Sequence, residues 1–75
     1  MILQHTQFHK LADCLKKERK RQGLSREQAA SVCNVSTSFI RDAETEPSRC
    51  SLAKLSQVIN GLGLTMAVTG WQDET

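Results

Sequence analysis

Tyrosine is absent from this 75-residue chain, and the remaining aromatics are Phe8, Phe39 and Trp71. A core built from such a sequence must be mostly aliphatic. Cysteine occurs three times (Cys14, Cys33, Cys50), an odd count at wide spacing with no C-x-x-C pair. A paired disulfide framework is thereby excluded, and the thiols read as small hydrophobes in a reducing cytoplasm. No apolar run approaches the length that crosses a membrane. The opening "MIL" is too short for the apolar part of a signal peptide, so no targeting segment is expected. There is no Gly-rich phosphate loop and no His/Asp set beside a cysteine, so no catalytic group, enzyme activity or cofactor is expected. His5 and His9 stand at i, i+4, but no third ligand lies at a useful spacing, so no metal is expected.

What is present fits one domain, residues 1–75. A core this small is marginal alone and often needs a partner chain. The net charge of +2 is modest. Its distribution is not: "KKERKR" (16–21) packs five positive charges and one negative into six residues, and the tail "QDET" is acidic.

Periodicity predicts four helices. In the first, about 7–22, Phe8, Leu11, Ala12 and Leu15 form one apolar stripe. Thr6 is its candidate N-cap and Gly23 its stop. Extending the stripe by four lands on Arg19, which points one arginine of the basic run inward. The second, 25–33, opens with a capping box of Ser25 and Gln28. Its Ala29, Ala30 and Cys33 imply that another helix packs very close. "NVS" is a tight turn, with Asn34 suited to a left-handed backbone and Val35 wedged between helices. The third helix, 36–45, is capped by Ser36 and turns Ile40, Ala43 and Glu44 inward. Pro47 fixes the next loop. The fourth, about 51–62, aligns Leu52, Leu55, Val58, Ile59 and Leu62, with Gly61 and Gly63 as terminators.

"LTMAVT" (64–69) then alternates as a strand. A single strand has no ladder partner, and its open edges invite another chain. A homodimer closed by an antiparallel ribbon is expected, using Leu64, Met66, Val68 and Trp71. The fold class is thus mostly α: a four-helix helix-turn-helix domain with a C-terminal β-strand pairing across the dimer.

The second helix of a helix-turn-helix enters the major groove with its N-terminal residues facing base edges. Ser36, Thr37, Ser38, Arg41 and Asp42 are its exposed positions, and Arg26 and Glu27 begin close to the same groove. These seven are the candidate base contacts. Phe39 either packs at the flank or touches the groove. Lys16, Lys17, Lys20, Arg21 and Ser25 are candidate phosphate contacts, with a solvated helix face as the plain alternative. Arg19 and Glu44, opposite charges on facing apolar stripes, are expected to pair, because a lone buried charge is costly.

The run "LSREQAASVCNVSTSFIRDAE" resembles the helix-turn-helix of the Xre/Cro/C1 class of phage-type repressors. "SLAKLSQVINGLGLTMAV", a helix running into a strand, narrows the resemblance to the HipB-type antitoxins of HipBA toxin–antitoxin modules. The resemblance covers roughly residues 10–69. It implies a lambda-repressor-like fold, dimerisation through the C-terminal strand, and repression of the module's own promoter through a palindromic operator. It implies base reading at Glu27, Ser36, Thr37 and Ser38, with Arg26 where related repressors carry a conspicuous polar reader. Its Arg19 and Glu44 match a buried ion pair of phage-type repressors. It further implies a HipA-like Ser/Thr kinase toxin as partner, joined in split systems by a separate small HipA-like protein. The alternatives are a stand-alone phage-type or restriction-controller-type regulator, and a protein-interaction module without DNA binding.

Overall fold

The computed structural model describes residues 8–65, together with the backbone of 2–3 and 67–68. Four α-helices follow one another: α1 (Phe8–Arg21), α2 (Arg26–Cys33), α3 (Thr37–Thr45) and α4 (Leu52–Gly61). A single 3₁₀ turn, Pro47–Arg49, joins α3 to α4, with Pro47 at its first position.

The helix boundaries follow from caps. Ser25 Oγ accepts from the Gln28 N–H at 3.0 Å, and Gln28 Oε1 accepts from the Ser25 N–H at 2.8 Å. This reciprocal box satisfies two of the donors a helix start leaves open. Ser36 Oγ takes the Phe39 N–H at 3.0 Å, and Ser51 Oγ takes the Lys54 N–H at 3.2 Å. Asn34 ends α2 at φ 59°, ψ 46°, the left-handed region that Asn enters more readily than most residues.

The core is aliphatic. Leu11 and Leu15 of α1, Ala29, Ala30 and Cys33 of α2, Ile40 and Ala43 of α3, and Leu55, Val58, Ile59 and Leu62 of α4 and its end form one cluster. Phe39 packs against the cluster from the flank, with Lys54 Nζ 5.8 Å from its ring centroid. Gly61 lies where α4 meets α2. A Cβ there would stand 2.6 Å from Cys33 Sγ and 2.9 Å from Cys33 Cα, so only glycine permits the approach. Gly61 is therefore a contact point inside α4 rather than only a terminator.

Three expectations change. Leu52 is 63% exposed, not inward. At 100° per residue it lies about 70° from the centre of the buried stripe of α4, and it sits in the first turn. Leu64 is not part of a strand. Its N–H reaches back to the Ile59 carbonyl at 2.9 Å, beside Gly63 at φ 81°, and closes the end of α4. Its side chain packs on the chain's own core. Nor is the C-terminal strand without a ladder partner: β2 (Ala67–Val68) pairs in parallel with β1 (Ile2–Leu3) of the same chain, Ile2 opposite Ala67 and Leu3 opposite Val68. His5, Thr6, Met66 and Trp71, and the side chain of Val68, lie outside the described residues.

Candidate DNA interface

The caps that start α2 and α3 also position the candidate reading surface. Ser25 puts Arg26 and Glu27 in the first turn of α2, and Ser36 puts Thr37 and Ser38 in the first turn of α3. Between them lies an open concavity of about 440 Å³ lined by Arg19, Arg26, Glu27, Thr37, Ser38 and Arg41. Five of the seven candidate base contacts therefore share one surface. Ser36 uses its hydroxyl oxygen as the cap and lies 3.4 Å from the Ser38 hydroxyl. Asp42 is not among the residues lining that concavity. It lines a second concavity, of about 260 Å³, with Glu46, Arg49 and Cys50. Its cationic neighbour is Arg41, at 3.9 Å, and it forms no pair with Arg26.

Beneath the first concavity lies a buried charge pair. Arg19 Nε donates to Glu44 Oε2 at 2.6 Å and Nη2 to Oε1 at 3.1 Å. Its Nη1 donates to the Leu24 carbonyl at 2.9 Å. All three guanidinium nitrogens are thus engaged, and the fork geometry links α1 to α3. Arg26 adds a second cation: its Nε donates to Glu44 Oε1 at 3.4 Å. One carboxylate holds two guanidinium groups, and only Arg26, with its side chain 39% exposed, reaches the surface from that cluster.

The candidate phosphate contacts fall into two sets. Lys17 pairs with Asp13 at 3.0 Å, and Arg21 pairs with Glu18. Gln22 joins the second pair by donating to Glu18 Oε2 at 2.7 Å. The Arg21 guanidinium, and then Gln22, hold the Glu18 carboxyl down to about 2. The same contact raises Arg21. Lys16 and Lys20 are exposed and form no ion pair among the described residues. Ser25 carries its cap through the oxygen, and no hydrogen bond uses its O–H proton among the described residues.

Three contacts escaped the sequence. Gln22 donates to the Leu62 carbonyl at 2.7 Å and ties the end of α1 to the end of α4. The other two are the Arg26–Glu44 bond and the meeting of Gly61 with Cys33. Each joins residues far apart in the chain, and no local spacing signals them. His9 is exposed, and no cluster of His, Cys, Asp or Glu suited to a metal occurs among the described residues.

With this geometry in hand, comparison with known proteins is direct. A family profile described as helix-turn-helix matches residues 15–68. The chain belongs to the helix-turn-helix family, of the Xre/Cro/C1 type. Helix-turn-helix domains of this class bind DNA, and the caps, turn and concavity above belong to that domain. No curated protein matches the chain by sequence. Among solved structures, a chain of a HipA-HipB-O2-O3 complex superposes with a TM-score of 0.76 at 20% identity, covering 87% of this chain and 92% of that one. A chain described as MDT Protein superposes with a TM-score of 0.75, also at 20% identity, with the same coverage. At that identity the likeness is one of helix-turn-helix fold. No helix among the described residues is long and apolar enough to cross a membrane.

Proposed function

We propose that this helix-turn-helix chain is a dimeric, sequence-specific repressor, the DNA-binding antitoxin and autoregulator of a HipBA-like toxin–antitoxin module in the cytoplasm. The observation that carries the reading is the concavity between the starts of α2 and α3, where Arg26, Thr37, Ser38 and Arg41 converge. Arginine suits guanine, and short hydroxyl residues suit either bases or the thymine methyl. Glu27, the acidic member, would accept from a cytosine amino group. Two copies related by a two-fold axis would place their α3 helices in successive major grooves about 34 Å apart.

The dimer is read from the C-terminal segment. Among the described residues β2 has one neighbour, β1, and its other edge would pair with a second copy. Met66, Val68 and Trp71 are the side chains assigned to that seam. Leu64, committed to its own core, is not. The HipA-like kinase, with or without a separate small HipA-like subunit, would bind the flank of the dimer. Support for that partner is the likeness of fold to a chain of the HipA-HipB-O2-O3 complex. Binding of the chain to the DNA upstream of its own gene, measured at two salt concentrations, tests the reading.

A further inference from the structure

Arg26 is held from behind. Its Nε points into the domain and donates to Glu44 Oε1 at 3.4 Å. Among the described residues, no hydrogen bond engages its Nη1 or Nη2. Glu44 is itself fixed: Arg19 grips both of its oxygens, at 2.6 and 3.1 Å, and its side chain is 3% exposed. The side chain of Arg41, the other surface arginine of the concavity, has among the described residues only the 3.9 Å contact with its neighbour Asp42. Of the three arginines lining the concavity, Arg19 is fully engaged, Arg41 is loosely held, and Arg26 alone is oriented and still has donors to offer.

We propose that Glu44 is a positioning residue that tethers Arg26 through Nε, so that its Nη1 and Nη2 edge faces out as a preset fork for one guanine in each operator half-site. The proposal rests on the DNA-binding reading above. A guanidinium is planar, with donors on more than one edge, so it can bond a carboxylate through one edge and a base through another. The terminal edge matches the O6 and N7 acceptors of guanine. A long side chain already ordered in the free protein loses less freedom on binding. The buried ion pair thus has a second use: it carries the position of α1 and α3 into the direction of a surface side chain. Lysine at position 26 could satisfy Glu44 or the base, but its single ammonium has no separate second edge for the fork.

The test uses the full chain and a randomised duplex library, with bound sequences selected and read for the wild type and for Arg26→Ala, Arg26→Lys and Glu44→Gln. The wild type should enrich one guanine per half-site. Replacing that base with 7-deazaguanine, which lacks the N7 acceptor, should weaken wild-type binding and leave Arg26→Ala unaffected. Arg26→Ala and Arg26→Lys should both erase that preference, a discrimination of roughly tenfold, while other positions keep theirs. Glu44→Gln should weaken the same preference and no other. If Glu44→Gln fails to fold, Arg26→Lys and the 7-deazaguanine duplex still decide the fork, and 15N relaxation of the arginine Nε–H groups in the free wild-type chain decides the tether: an Arg26 Nε–H as mobile as that of Arg41 overturns it. A guanine preference that survives Arg26→Lys overturns the fork, and one unchanged in folded Glu44→Gln overturns the tether. No enrichment of any sequence overturns the DNA-binding reading itself, a result distinct from either.

Discussion

Arg19 and Glu44, 25 positions apart in the chain, meet in a two-bond fork inside the domain, with side chains 9% and 3% exposed. Removing Glu44 leaves Arg19 buried without a counter-charge, and removing Arg19 leaves Glu44 with only the longer Arg26 contact at 3.4 Å. Arg19→Ala or Glu44→Ala should therefore destabilise the fold by about 3–5 kcal/mol. For a chain this short that is most of the available stability. Replacing both together with apolar residues of similar volume should recover most of the loss. Urea denaturation midpoints of the single and double variants check this. A loss below about 1 kcal/mol for either single variant would contradict the burial argument.

Gly61 should resist even alanine. The added methyl would meet the backbone of Cys33 as well as its sulfur, so α2 and α4 must separate. Gly61→Ala should cost about 1–3 kcal/mol by overpacking, although alanine ordinarily favours a helix. Adding Cys33→Ala removes only the sulfur clash and should rescue part of the loss. Thermal unfolding of the three variants measures it.

Glu18 should titrate near 2, well below its ordinary value of 4.5. Because the folded-state value is depressed, its contribution to stability is present above about 4.5 and fades as the pH falls towards about 2. Arg21→Gln removes the main cause, and the Glu18 value should rise back towards normal. A side-chain carboxyl NMR titration follows both chains. An unchanged Glu18 value in Arg21→Gln would show that Arg21 is not the cause.

Of the candidate phosphate contacts, the two lysines without an ion pair among the described residues, Lys16 and Lys20, should matter most for charge. Lys20→Ala, and Lys16→Ala to a similar degree, should weaken binding to all DNA sequences alike. Removal of one phosphate-binding cation should flatten the plot of log affinity against log salt by about 0.9. Lys17→Ala and Arg21→Ala should flatten it less, because Asp13 and Glu18 already partner those cations. Affinity measured across a salt series separates the two sets.

Much of this domain was legible in the chain because its signals are local. Ser25 and Gln28 stand three apart and form the capping box that such a spacing specifies. Arg19 and Glu44 interrupt two apolar stripes at inward positions, and opposite charges on facing stripes have few alternatives to each other. The starts of α2 and α3 were legible for the same reason, since caps fix them. The misread residues sit where local pattern and tertiary position diverge. Leu52 belongs to an apolar period, yet it lies at the margin of the buried stripe in the first turn of α4 and stays exposed. Leu64 continues an alternating run, yet the Gly63 backbone folds it onto its own core. Gly61 resembles a stop signal, and only the position of Cys33 reveals why a side chain is barred.

Whether the concavity at the starts of α2 and α3 reads DNA is best decided by a gel shift. The full chain is run on the DNA upstream of its own gene, at low and at physiological salt, beside unrelated duplex of equal length. A discrete shifted band should form on the upstream DNA at both salts, weaker at the higher one, and Arg26→Ala should narrow the preference over unrelated duplex by roughly tenfold. A chain that is folded and dimeric in solution yet shifts neither DNA at low salt would contradict the assignment.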